Sequence, residues 1–568
     1  MPSRALGRLT ALAMLAVVIA SCTSDVDADA DPDVVASPTV DLVAEIDPDN
    51  QLRAVLTITT DGTGDAAIEV LDGDDRGFLL TTPPLGAGTH TVPLLGLRAE
   101  TTYSVEVSHG QAGASSSFTT GSFPSDMPPI EAESSPEDMS SGLTLFNVIP
   151  LGGPAGDNGP TDDGYLVAVD ESGEVVWYYR QTHSIQDVRQ SADGDLLFIH
   201  HETGVRRIDV SDDSMVEWSG TTGLDDAPED DHGRAYAGED AIRVDTDQMH
   251  HEVIELPNGN LMTLSRETRE IDGYPEPLCD EGDEFTGRYE VVTDTVVEFD
   301  PGDGSVVAEW SLFDMVDPLD NLDVIRPSEF CSQYLADVYP DLGARDWTHA
   351  NAVVLDEARN ALLVSVRHLD QVFAIRYQDD DSGPAGELLW RLGEGGDFSL
   401  TEGEWFLHPH APQVLEDGSI MIYDNGNERP GTSLEDPDKL PYSRAVQYEI
   451  DEEARTARQV WEHRADAPGE AVYAPFVGDA DVLAGGTVLI THGGLLDPPA
   501  HSPQVEGVLP WARIIEVDYE TGDIVFDLTV KDPDRESGWI VYRAERIPTM
   551  YPEGFTVEEV DRSTTSAP

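Results

Sequence analysis

A short motif that keeps returning constrains this chain more than any other feature: a turn, a few apolar residues, then an aromatic. It reads Gly173-Glu174-Val175-Val176-Trp177, Met215-Val216-Glu217-Trp218 and Ser305-Val306-Val307-Ala308-Glu309-Trp310, and then Gly386-Glu387-Leu388-Leu389-Trp390, Gln459-Val460-Trp461 and Gly522-Asp523-Ile524-Val525-Phe526. Runs this short, bounded by turn residues, suit strands and are too brief for helices. A second strand type alternates with the first, at 188–191, 252–256, 352–355, 413–415 and 481–483. Each run precedes a polar turn: Asp193-Gly194, Asn258-Gly259, Asp356, Asp417-Gly418 and Gly485-Gly486. A unit of about four short strands, returning at irregular intervals, is the content of one β-propeller blade.

Five units are complete, and a sixth opens at 539–548 shortly before the sequence stops. The runs at 143–151 and 164–177 lack an inner partner. They are therefore expected to form one sheet with the C-terminal strand, closing a six-bladed β-propeller over residues 142–568. Closure removes both exposed sheet edges. A seven-bladed ring and two packed sandwiches are the alternatives.

Upstream, short alternating runs broken by Gly, Asp and Pro fill 39–121 and predict an all-β sandwich. Leu94-Leu95-Gly96-Leu97 followed by Tyr103-Ser104-Val105-Glu106-Val107 looks like the tyrosine corner of immunoglobulin-like or fibronectin-III-like modules. Residues 122–141 read as a Pro- and Ser-rich linker, and 23–38 as an acidic tether. Arg4 and Arg8 precede an apolar stretch at 9–20 that is too short to span a bilayer, so 1–22 reads as a secretory signal. Its end, Ile19-Ala20-Ser21-Cys22, resembles a lipobox, with ordinary cleavage near Ala20-Ser21 as the alternative. The expectation is an exported protein, periplasmic or at the cell surface, lipid-anchored at Cys22. Cys279 and Cys331 then remain as an even pair in an oxidising compartment, where a disulfide is expected. They are too few for a cysteine metal site.

The net charge of −79, with Lys only at 439 and 531, argues against nucleic acid and anionic membrane surfaces as partners. Contact with a membrane is expected only through the lipid anchor. Such a surface suits high ionic strength, where a short Debye length screens self-repulsion.

Inner strands of a propeller begin together at one rim. Here they begin with His250-His251, with Asp346-Trp347-Thr348-His349-Ala350-Asn351, and with His408-Pro409-His410. Aligning the turns at Asn258-Gly259 and Asp417-Gly418 places His251 level with His410. Arg367 lies on the strand following that of His349, and Asp424-Asn425-Gly426 follows that of His410. A histidine opening a strand can serve only sheet-to-sheet hydrogen bonding. Several in register, with an Arg and an Asn, suit holding and transferring a small oxyanion. By contrast His200, His201, His492 and His501 fall on outer strands or loops and read as structural or solvated. His368 is expected to face away from Arg367.

These stretches, in this order, resemble the bacterial PAPS-independent arylsulfotransferases. The matches are His251-Glu252 with Leu256-Pro257-Asn258-Gly259-Asn260, Asp346 through Val353, Ser365-Val366-Arg367-His368, Trp390-Arg391-Leu392-Gly393, His410, and Asp424-Asn425-Gly426. The resemblance implies an exported six-bladed propeller behind a β-sandwich, without a nucleotide sulfate donor or other cofactor and without a metal. It implies that His410 takes the sulfuryl group from an aryl sulfate as a sulfohistidine and passes it to a phenolic acceptor, a ping-pong reaction. His251, His349, Asn351 and Arg367 match the residues around the sulfuryl oxygens. His250 and Asn425 are further candidates for substrate binding. His349 or His251 would carry the proton. Glu252 stands where the family often has Asp, and the Cys279–Cys331 pair has no counterpart. A non-catalytic surface-binding propeller, an aryl sulfatase and a quinoprotein dehydrogenase are the competing functions. The quinoprotein lacks support because the adjacent-cysteine pair found in many of them is missing.

Overall fold

The computed structural model describes residues 39–562 apart from 75, 152–162, 222–236, 239, 278–283, 321–344, 437, 466–471, 502, 504–506 and 535. The expected signal, Cys22, and the expected Cys279–Cys331 disulfide lie outside the described residues. The chain is all-β, with a few one-turn 3₁₀ segments among the strands.

The N-terminal region forms two sheets. One pairs Val40–Ile46 with Ala54–Thr60 and then Gly88–Leu94. The other contains Arg76–Thr81, Ala66–Leu71, Thr102–His109 and Ala112–Thr119. Thr102–His109 alternates strictly between exposed and buried, which sends Tyr103, Val105 and Val107 into the core. The Tyr103 hydroxyl accepts the N–H of Arg98 at 2.9 Å, five residues upstream, as a tyrosine corner requires.

Two segments differ from the sequence reading. Within the supposed linker, Ile130–Ser134 is a strand antiparallel to Ile524–Val530 at the edge of the last sheet. At the other end, Thr556–Asp561 leaves the C-terminal sheets and pairs with Arg76–Thr81 of the N-terminal region. Neither carries an apolar pattern that announces its partner, and Thr556–Asp561 is exposed at nearly every position. Edge strands of this kind are recruited by backbone hydrogen bonding, which sequence periodicity does not record.

Between these segments the described chain builds six sheets of four or five strands. Their opening strands are β1 (Ile185–Gln190), β2 (His250–Glu255), β3 (Ala350–Asp356), β4 (Pro409–Val414) and β5 (Asp479–Val482), with β6 (Ala544–Ile547) pairing against Leu143–Pro150. β1 touches β2, β2 touches β3, β3 touches β4 and β4 touches β5, while β6 packs against β1 and against Thr487–Asp497 beside β5. The next two strands outward in the third sheet, Ala361–Val366 and Gln371–Arg376, are buried at every position. Covered on both faces, they read as continuous apolar runs instead of alternating. Gly259 and Gly418 sit at φ of +82° and +83° in the turns after β2 and β4, where a Cβ would be strained.

At four junctions the recurrent aromatic fastens a sheet to its successor. Trp218 Nε1 donates to the Pro301 carbonyl at 2.9 Å, Trp390 Nε1 to Glu452 Oε2 at 3.2 Å, and Trp461 Nε1 to the Tyr519 carbonyl at 2.9 Å. Trp310 packs against Tyr377. A large apolar body with one polar tip suits this duty.

Candidate functional site

The site is shaped by bulges. Regular pairing breaks in β1 between Gln186 and Arg189, in β2 between His250 and Val253, in β3 between Ala350 and Ala352, and in β4 between His410 and Gln413. Asp187, His251 and Ala411 sit inside these bulges with φ of 47°, 63° and 46°, and His349 and His408 take 48° and 54° just before their strands. Left-handed backbone at non-glycine residues costs of order 1 kcal/mol each and gathers where side chains must be re-aimed. The bulges of β2 and β4 each hold two residues, opposite none in β2 and opposite Ile422 in β4. His250 pairs with Leu264 and His410 with Tyr423, equivalent positions counted from Leu261 and Ile420 at the hairpin ends. His250, not His251, is thus level with His410, which turn alignment alone could not reveal.

His410 is 3% exposed. Its Nδ1 lies 2.6 Å from Asn425 Oδ1. The Asn425 amide donates from Nδ2 to the carbonyls of Ala474 and Val477, both at 2.8 Å, so its oxygen must face the imidazole. His410 therefore donates Nδ1–H and keeps its lone pair on Nε2. Burial, then the positive charge of Arg367, push its pKa down to about 3, so the ring is neutral. The carbonyl of Pro409 accepts from Asn351 Nδ2 and Ser365 Oγ, each at 2.9 Å, which ties β3 and its neighbour to the start of β4. Among the described residues, the buried Asn351 Oδ1 has no hydrogen-bond partner.

The rings of His251 and His349 meet edge-on, 5.3 Å between centroids. Burial holds His251 well below the ordinary imidazole pKa, helped by His349, Arg266 and His410. Burial does the same to His349, helped by Arg367 and Arg266. Behind His251, Nδ1 of His250 lies 2.7 Å from its Nδ1, and His250 Nε2 is 3.4 Å from Asp294 Oδ1. Burial and the neighbouring Asp346 charge raise Asp294 to about 7, although it accepts from Thr348 Oγ1 at 2.5 Å and the Ala350 N–H at 2.6 Å.

Arg367 opens a one-turn 3₁₀ segment, Arg367–Leu369. Its main-chain N–H donates to the His349 carbonyl at 3.4 Å and its Nη2 to the Pro475 carbonyl at 3.0 Å. Its charge depresses His251, His349 and His410 alike. The strand stops at Val366, so alternation no longer aims His368. Instead of facing away, His368 stacks on His349 at 4.6 Å.

Sequence reasoning missed Tyr542, just before β6. Its ring lies 5.9 Å from that of His251 and 6.5 Å from that of His410, and its hydroxyl donates to the Asn351 carbonyl at 2.9 Å. It arrives from the far end of the chain, and no spacing signal marks it. Below it, Arg543 donates to both oxygens of Glu252 at 2.6 and 3.0 Å and pairs with Asp187 and Asp479, while Arg189 pairs with Glu252 and Glu545. Glu252 is thus committed to a buried ion cluster, which accounts for an acid beside His251. The histidines read as peripheral divide. His200 and His492 are buried, the first bonded to Gln181 and the second to the Tyr423 hydroxyl. His201 lies 5.2 Å from His183, ring to ring, and His501 is exposed and bonded to Tyr473.

Asp346, His349 and His368 form a trio of potential metal ligands within 4.8 Å of one another. The two imidazoles lie only 27° from parallel. Each ring already has a partner in Asp346: His349 Nδ1 its carboxylate at 2.5 Å, and His368 Nδ1 its main-chain carbonyl at 3.2 Å.

The arylsulfotransferase (ASST) family profile matches residues 130–543. Arylsulfate sulfotransferase AssT of Escherichia coli O6:H1 (strain CFT073) is 25% identical over 324 residues, 49% of this chain and 50% of that one. Its namesake in Lelliottia amnigena is 24% identical over 329 residues, with the same two shares. The chain thus spans about half the length of the curated relatives it matches. Among solved structures, a periplasmic gluconolactonase of Pseudomonas aeruginosa aligns at 12% identity and a TM-score of 0.30, covering 73% of this chain and 99% of its own.

Proposed function

Because this chain belongs to the arylsulfotransferase family, we propose that it moves a sulfuryl group from an aryl sulfate to a phenolic acceptor through a sulfohistidine at His410. The observation that carries this reading is the Asn425 clamp, which leaves Nε2 of a neutral, buried imidazole as the nucleophile. In the first half-reaction, Nε2 bonds to sulfur as the S–O bond to the aryl group breaks and the pair leaves on the phenolate. In the second, the acceptor oxygen bonds to sulfur, the S–N bond breaks, the pair returns to Nε2, and an adjacent imidazole takes the phenol proton. Arg367 supports the negative charge on the sulfuryl oxygens.

The six sheets are read as the blades of a closed β-propeller, and the two N-terminal sheets as an immunoglobulin- or fibronectin-III-like sandwich. The order of contacts from β1 to β6 supports this. Export and a lipid anchor at Cys22 belong to the same proposal.

Incubation with 4-nitrophenyl sulfate, with and without phenol, tests the activity. The expected result is sustained nitrophenolate release that requires phenol, vanishes in His410→Ala, and accompanies an acid-labile sulfuryl adduct on His410. Release that ignores the acceptor makes the protein a sulfatase. The absence of release at any salt concentration makes it a binding module.

A further inference from the structure

We propose that Asp346 positions His349 as the proton carrier of the transfer, an assignment that rests on the reaction proposed above. Asp346 Oδ2 lies 2.5 Å from His349 Nδ1, and the Asp346 side chain is 7% exposed. The pair is braced by its neighbours. His368 stacks on His349 and donates from Nδ1 to the main-chain carbonyl of Asp346 at 3.2 Å. His251 closes against the His349 ring edge-on. One neutral form of His349 suits this setting: Nδ1–H given to the carboxylate, lone pair on Nε2.

His251 is served differently. It shares a proton with Nδ1 of His250, whose Nε2 lies 3.4 Å from the Asp294 carboxylate. When a phenol gives up its proton as its oxygen attacks the sulfohistidine, one imidazole becomes cationic. At His349 that charge forms against a carboxylate, and at His251 it forms against a neutral ring. The first is favoured. The proton taken up at His349 Nε2 is then available to the next departing phenolate or to solvent.

The test isolates the second half-reaction. The full-length protein is loaded with 4-nitrophenyl sulfate, and the decay of the adduct is then followed with two acceptors. One is phenol, protonated at pH 8, and the other is pentafluorophenol, already ionised there and needing no base. Asp346→Asn should slow transfer to phenol by about 10²-fold and transfer to pentafluorophenol by less than about threefold. An equal loss with both acceptors would make Asp346 merely structural and overturn the proposal. If the wild-type protein never forms the adduct, the underlying reaction falls instead, so the two failures are distinct. A measurement independent of turnover guards against a misfolded variant. ¹⁵N-histidine spectra of the wild-type chain, with His349 identified by signal loss in His349→Asn, should place its proton on Nδ1. A proton on Nε2 would also overturn the assignment. So would loss of transfer to phenol on EDTA treatment with recovery on adding Zn²⁺, because the trio would then be a metal site.

Discussion

Replacing Asn425 by Ala should slow the loading of sulfur onto His410 without abolishing it. The bond from His410 Nδ1 to Asn425 Oδ1 is 2.6 Å long and fully enclosed. Between neutral partners such a bond contributes about 1 kcal/mol net, and about 1.5–3 kcal/mol once one partner is charged. The imidazole gains positive character as the N–S bond forms, so about 1–2 kcal/mol of that bond is realised only in the transition state. Freedom to adopt the other tautomer adds a further loss of similar size. The sum is about 2–3 kcal/mol, or roughly 30- to 200-fold in rate. Stability falls as well, because the carbonyls of Ala474 and Val477 each lose a donor. Rapid-quench measurement of the nitrophenolate burst without acceptor reads the loading step alone. Thermal melting of the same sample establishes that the protein is folded. A folded variant whose burst rate stays within about threefold of wild type would refute the tautomer argument.

Four further outcomes follow from the site and the charge of the chain. With His410 pushed down to about 3, loading should show no acid limb from this residue between about pH 5 and 8, and a limb near 6.5 that disappears on altering Asn425 would contradict it. The same depression makes the fold acid-labile. The unfolded imidazole binds its proton near 6.5 and the native one only near 3, so this contribution is complete above about 6.5 and declines as pH falls, by about 2 kcal/mol at pH 5, readable by denaturant titration against His410→Ala. Arg367→Ala should cost about 2–4 kcal/mol in kcat/KM, and a near-normal value would remove Arg367 from the sulfuryl contacts. Finally, the net charge of −79 predicts a Tm that rises with added salt, and a Tm indifferent to salt would show that surface repulsion is not limiting.

The sequence disclosed repetition and missed recruitment. Apolar runs closing in Trp or Phe marked the outer ends of sheets because a large buried aromatic is needed there, and that need is written locally. His349, Arg367 and His410 were legible for the same reason, each tied to a recognisable strand start or end. The bulges were not. Two residues bulge in each strand, but Ile422 stands opposite those of β4 and no residue stands opposite those of β2; this changes which imidazole is level with His410, yet the turn residues are alike. Tyr542 was invisible because its neighbours in space are 191 residues away in the case of Asn351, and nothing periodic links them. Asp346 stood inside a motif already singled out, three positions before His349. Its partnership emerged only when the backbone at His349 took a left-handed turn that brings Nδ1 back to it.

The route of the last strand has a mechanical consequence. β6 holds the first sheet's edge by pairing with Leu143–Pro150, and Thr556–Asp561 is then stitched onto Arg76–Thr81. Tyr551 lies between these two seams, its hydroxyl taking the N–H of Leu95 at 2.9 Å, and Arg53 grips Asp213 with two bonds from the N-terminal side. The amino-terminal module therefore acts as a buckle. Prising β6 away from Leu143–Pro150 would also mean unpicking that module, so the two should melt as one unit.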